Sequence, residues 1–86
     1  MRTPSLWYKI TFQASTPINT VVSDVTTMLL SDYGAASEIT NFHNGSATES
    51  SSFLIGMITD VPKQTMNNAL NNLEHKVGYL FVYEFM

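Results

Sequence analysis

The sequence predicts a ferredoxin-like α+β domain, βαββαβ, with a four-stranded antiparallel sheet and two helices on one face. Three observations carry this. Residues 6–14 alternate apolar and polar with a period of two. Two later stretches repeat apolar residues at spacings of three and four, each opening on a proline and closing on a glycine. Between and after those stretches lie short runs rich in β-branched and aromatic residues, bounded by turn residues.

The first strand covers Leu6 to Ala14. Leu6, Tyr8, Ile10, Phe12 and Ala14 fall on one side, and Trp7, Lys9, Thr11 and Gln13 on the other. Thr16-Pro17 marks a helix start, with Thr16 as N-cap and Pro17 as first helical residue. Ile18, Val21, Val22, Val25, Met28 and Leu29 then form one apolar stripe. Valine and threonine are mediocre helix formers, so packing must hold this helix. Gly34 is placed to end it, which predicts a helix over 17–33. Ala36 to His43 reads as a second strand of mixed polarity. Asn44-Gly45 is the strongest hairpin signal, because a two-residue type I′ turn needs positive φ at both positions. With that loop, His43 faces Ser46 and Asn41 faces Thr48. Ser46 to Ser52 is polar, an extension of the hairpin or a loop. Phe53 to Ile58 is apolar on both sides, as in a central strand. Asp60-Val61-Pro62 closes it and opens a second helix over 62–76, with Met66, Ala69, Leu70 and Leu73 inward and an asparagine-rich outer side. Gly78 ends that helix, and Tyr79 to Met86 forms the last strand.

This order reads as one domain, 1–86, with the first and third strands central and right-handed crossovers placing both helices on one face. The opposite face stays open. In the last strand, Tyr79, Phe81, Tyr83 and Phe85 belong to the core, because burying Glu84 would be costly. The open face then carries Trp7, Lys9 and Thr11 beside Leu80, Val82, Glu84 and Met86, with Glu84 in reach of Lys9. These residues are the candidate partner-binding surface.

At 86 residues the core is thin, and such chains often depend on disulfides, metals or self-association. There is no cysteine, which excludes disulfides and thiolate metal sites and leaves a homo-oligomer as the expected support. Charged residues make up 13% of the chain, about half the usual share. The net charge of −3 comes from seven acids against four bases. Four scattered bases make no basic stripe, and seven spaced carboxylates make no acidic mimic of DNA. No run approaches the ~18 apolar residues of a membrane span, and the N-terminal residues lead into a strand pattern, so the expected location is cytoplasmic. Asn44-Gly45-Ser46 fits the N-glycosylation pattern but reads as turn chemistry in that setting.

Catalytic signals are sparse. His43 and His75 lack a metal-ligand spacing, the serines lack a nucleophile elbow and the glycines make no phosphate loop. No metal or cofactor is expected. One acid–base set is available for a small enzyme, His43 with Glu38 and Tyr8, or with Asp60. The RNA-recognition form of this fold needs a basic, aromatic third strand, and Ser52 to Ile58 has one aromatic and no cation.

The run Phe53 to Val82 combines an apolar strand, Asp60-Val61-Pro62, an amphipathic helix and a closing strand. It resembles the second half of ACT regulatory domains, and Thr16-Pro17 with Gly34 is similar to their first half. The resemblance implies a small-molecule-sensing module. In that family a glycine follows the proline of the ligand loop, where this chain has Ile18, and no binding residues are carried over. The leading expectation is a non-catalytic binding or regulatory module, a class that includes phage-type inhibitors of another protein, acting through the open face or as a homo-oligomer. Gel-shift with submicromolar protein should show no retardation of nucleic acid at physiological salt, because too few cations are present to displace counterions.

Overall fold

In the computed structural model, which describes residues 3–86, the elements are β1 (Leu6–Gln13), α1 (Ile18–Tyr33), β2 (Ala36–His43), β3 (Ser50–Ile58), α2 (Lys63–Val77) and β4 (Phe81–Phe85). The strands form one antiparallel sheet in the order β2-β3-β1-β4. This is the ferredoxin-like α+β arrangement, with the first and third strands central.

Register decides which residues meet under the helices. Leu6, Tyr8 and Ile10 pair with Met57, Ile55 and Phe53 on one side of β1. On the other side, Tyr8, Ile10 and Phe12 pair with Phe85, Tyr83 and Phe81. Successive residues of a strand point to opposite faces, so these rows share one face. Against it α1 packs Val21, Val25 and Leu29, and α2 packs Met66, Ala69, Leu70 and Leu73. The inner set of β4 is the aromatic one: Phe81 is buried, Tyr83 half-buried, and Tyr8 makes edge contacts with Tyr83 and Phe85.

The helix starts differ from the expectation. Thr16 caps nothing. Its N–H donates to the Gln13 carbonyl in a turn, and Pro17 itself occupies the N-cap position with extended backbone. The Pro17 carbonyl accepts from Thr20 and Val21. Pro62 has the same place before α2, with its carbonyl accepting from Met66. A proline suits this position because its φ of about −65° fits the extended entry and its missing N–H is not needed there. The helix ends follow the expectation. Gly34 and Gly78 hold φ of +60° and +77°, conformations that cost a residue with a Cβ.

The hairpin between β2 and β3 also departs from the expected form. Asn44-Gly45 is not a two-residue turn. The loop spans six residues, Asn44 to Glu49, and His43 pairs with Ser52 instead of Ser46. Within it the Glu49 N–H donates to the Ser46 carbonyl, and the Ser46 N–H to the Glu49 carboxylate. Gly45 has no positive φ. It is needed for closeness, since a Cβ there would stand 2.5 Å from the Ser50 carbonyl oxygen. Its N–H donates to Ser51 Oγ. A second irregularity lies just before. Between Thr40 and His43 the register slips, and Asn41 takes φ +54°. This bulge adds one residue to β2. It turns Phe42 toward the helix side, where its ring lies 6.3 Å from that of Phe53.

Two tyrosines tie the layers together. Tyr8 Oη donates to Asn67 Oδ1 of α2, and Tyr79 Oη donates to Asp24 Oδ2 of α1 at 2.7 Å. Burial, then the neighbouring Tyr83, raises the pKa of Tyr8. Burial, then the bond to Asp24 and its charge, raises Tyr79 well above the ordinary tyrosine range. Unfolded tyrosines lose their protons near pH 10, while these two hold theirs in the fold. Their stabilisation is therefore complete below about pH 10 and is lost as pH rises through the folded values. Urea unfolding between pH 8 and 12 should show the midpoint falling above pH 10, and Tyr79→Phe should flatten that fall. Tyr8→Phe should cost about 1 kcal/mol at neutral pH, the worth of one hydrogen bond.

Candidate functional site: the helix-free face of the sheet

The same alternation that buries Tyr8, Ile10 and Phe12 sends Trp7, Lys9, Thr11 and Gln13 to the face without helices. Three cross-strand rows organise it. Thr11 lies between Ser52 and Val82, Lys9 between Leu54 and Glu84, and Trp7 opposite Gly56. The Met86 N–H donates to the Trp7 carbonyl, so the last residue extends that row. Leu80 precedes β4 with the same parity as Val82 and Glu84. The expected surface residues Trp7, Lys9, Thr11, Leu80, Val82 and Glu84 thus share one face, with Lys9 and Glu84 in direct register.

Trp7 behaves differently from the expected exposed anchor. Its ring turns over β3. A Cβ added to Gly56 would meet both Pro4 Cβ and the Trp7 ring at 2.9 Å. Gly56 is buried in consequence and Trp7 half-buried. A glycine within a strand leaves a gap, and an aromatic ring across it restores packing. The sequence holds a signal for this in the glycine inside an otherwise apolar strand. Only the register of β1 against β3 shows which residue lies over it.

Exposure is instead concentrated along β4 and its flanks, where Leu80 is 66%, Val82 68% and Met86 61% accessible. On the other side of β4, Phe85 is partly exposed, with Lys63 Nζ 4.1 Å from the centre of its ring. This cation–π contact fixes the start of α2 beside the strand.

The acid–base candidates do not converge. Tyr8 points to the helices and is inaccessible. Glu38 lies opposite Gly56 on the other face, and His43 lies opposite Ser52, about 13 Å along β3 at ~3.3 Å per residue. Asp60 follows the far end of β3, where Ile58 pairs with Ala36. His75 lies 3.4 Å from its neighbour Glu74 on an exposed helix end. Among the described residues no three His, Cys, Asp or Glu side chains gather as a metal site would need, and no helix is long and apolar enough to cross a membrane.

Two concavities lie elsewhere. A groove of about 320 Å³ runs between the helices, lined by Asp24, Asp32, Asn72 and Lys76 over Met28 and Leu73. A hollow of about 350 Å³ lies where β3 ends, between Tyr33 and Val61. Neither is lined by Tyr8, Glu38 or His43. Comparison with protein-family models finds no match, and comparison with curated proteins finds none.

Gly56→Val should displace the indole of Trp7. Because this is the sole tryptophan, the change reads directly as a red shift and greater quenching of its fluorescence, with the helical dichroism retained. An unchanged emission spectrum would show that the ring does not rest on Gly56.

Proposed function

We propose that this chain is a non-catalytic binding module that engages a protein surface through the helix-free face of its sheet. One observation carries the reading. The exposed apolar residues Leu80, Val82 and Met86 lie together on that face, beside the single charged pair of its central row, Lys9 and Glu84. Isolated exposed aliphatics are ordinary, but three grouped on one face without a cover are a feature of interaction surfaces. Its polar groups, among them Thr11, Gln13, Ser52, Glu38 and the cross-strand Lys9 and Glu84, are spread along all four strands and line neither concavity, which suits recognition of a surface better than chemistry on a small molecule. A regulator or inhibitor of another protein needs no more than such a face.

Thr11 sits mid-face between Ser52 and Val82, so Thr11→Arg changes the surface without entering the core. Hydrogen exchange of the wild type with co-purified material should show added protection over 7–13 and 80–86. Thr11→Arg should abolish that protection while keeping the wild-type dichroism. Protection that maps to the interhelical groove instead would refute this reading.

A further inference from the structure

We infer that β4 is a self-pairing edge, through which two copies of this chain join antiparallel about a twofold axis at Tyr83 into one eight-stranded sheet. The inference rests on the proposed reading of the face for the role of Leu80, Val82 and Met86, and it names the partner as a second copy.

The sheet has two edges, and they are not alike. β2 is blunted by its bulge, with Asn41 in the left-handed region, and carries polar residues along most of its length. A bulge of this kind disrupts the ladder that a second chain would need. β4 has no bulge, no proline and no glycine, and pairs regularly with β1 over all five residues. Among the described residues, six large hydrophobics are exposed, and four of them (Leu80, Val82, Phe85 and Met86) lie on or beside this one edge.

The hydrogen-bond phase selects the register. The Met86 N–H donates to Trp7, so in the antiparallel alternation Met86, Glu84 and Val82 bond inward to β1. The N–H and C=O groups of Phe81, Tyr83 and Phe85 therefore face outward. A twofold at Tyr83 sets Tyr83 against its own copy and Phe81 against the other copy's Phe85, which satisfies all six groups. It also sets Val82 against Glu84 of the other copy. A twofold at Glu84 would place two carboxylates directly opposite, and one at Val82 would leave the Phe85 groups outside the strand pairing. On the helix-free face the chosen register sets Leu80 of each copy against the other copy's Met86, with the two Val82–Glu84 pairs between them. On the helix side α2 flanks the joint, because Lys63 stands over Phe85. A stable pair buries about 800 Å² per partner, about a sixth of the 5148 Å² surface of this chain. The strand edge with its four exposed hydrophobics supplies the apolar part of such a contact, and the start of α2 borders it.

The test uses sedimentation velocity and cysteine cross-linking. Wild type should dimerise in the micromolar range. Phe85→Pro removes an N–H that the monomer ladder does not use, and should weaken association at least tenfold with the helical dichroism unchanged. The chain has no cysteine, so single replacements report geometry. Under mild copper-phenanthroline oxidation Tyr83→Cys should cross-link, because paired residues lie within disulfide reach. Glu84→Cys, although more exposed, should cross-link at least fivefold less, because its copy is diagonal. A wild type monomeric at several hundred micromolar overturns the inference, as does a dimer that Phe85→Pro leaves intact. Cross-linking through Glu84→Cys in preference to Tyr83→Cys overturns the register. If Phe85→Pro loses helical signal, the cysteine pair decides. A monomeric wild type that still shows protection sensitive to Thr11→Arg would end the self-pairing and leave the binding role standing.

Discussion

The structure depends on how one central strand divides its residues between two faces. β1 pairs with β3 on one side and β4 on the other, so its register fixes both. Tyr8, Ile10 and Phe12 form the middle of the core, and Trp7, Lys9 and Thr11 the middle of the free face. A slip by one residue would reverse every side chain, placing Lys9 under the helices and Tyr8 in water. That penalty is what specifies the register in a chain whose polar loops and weakly helical α1 specify little. Tyr8 makes the constraint stricter, since its hydroxyl must reach Asn67 of α2 while its ring meets Tyr83 and Phe85 of β4. One residue thus aligns a helix and two strands.

The parts of the fold legible in the sequence are those set by periodicity. The alternation of β1, the stripes of the two helices and the inward aromatics of β4 each follow from one residue type recurring at one spacing. Gly34 and Gly78 were legible for a related reason: a helix end needs positive φ, and glycine supplies it. What the sequence hid were choices between equivalent local devices. Asn44-Gly45 could make a tight turn, but Ser46 and Glu49 bind each other's backbone, and this closes a longer loop. Thr16 could cap α1, but the helix starts one residue later and Pro17 takes the N-cap position. The bulge at Asn41 left no mark that distinguishes it from any polar strand residue. Of the candidate site, the membership of the face was legible because parity determines it. The position of the indole was not, because it depends on which residue of β3 lies opposite.

Asparagine, serine and threonine carry most of this chain's polarity, and the described ion pairing is slight, with His75 and Glu74 on a surface helix end. Surface pairs of that kind contribute little. Stability therefore comes from the core and from a few buried polar ties. Tyr8 to Asn67 and Tyr79 to Asp24 each join residues more than fifty positions apart, 59 and 55 along the chain. Each contributes about the worth of one hydrogen bond, and each joins segments that the core alone leaves free to shift. With so few charges at the surface, little repulsion opposes contact between chains, and the apolar residues that remain outside have correspondingly more influence.

Gly56 decides how much apolar surface the centre of the free face leaves open. Had that site carried a side chain, the indole of Trp7 could not lie across β3, and the largest apolar group of the free face would stand exposed at its centre. With glycine there, Trp7 is drawn onto its own sheet together with Pro4. The centre of the face is thereby closed within the molecule, and the uncovered apolar surface is left along β4. β4 is also the edge strand without a bulge, with a regular row of outward backbone groups that no neighbouring strand uses. Apolar contact and main-chain hydrogen bonding are separate sources of association, and a surface that offers only one is usually weak. Here both lie at the same edge, so the exposed side chains and the backbone ladder can be covered by a single partner in a single orientation.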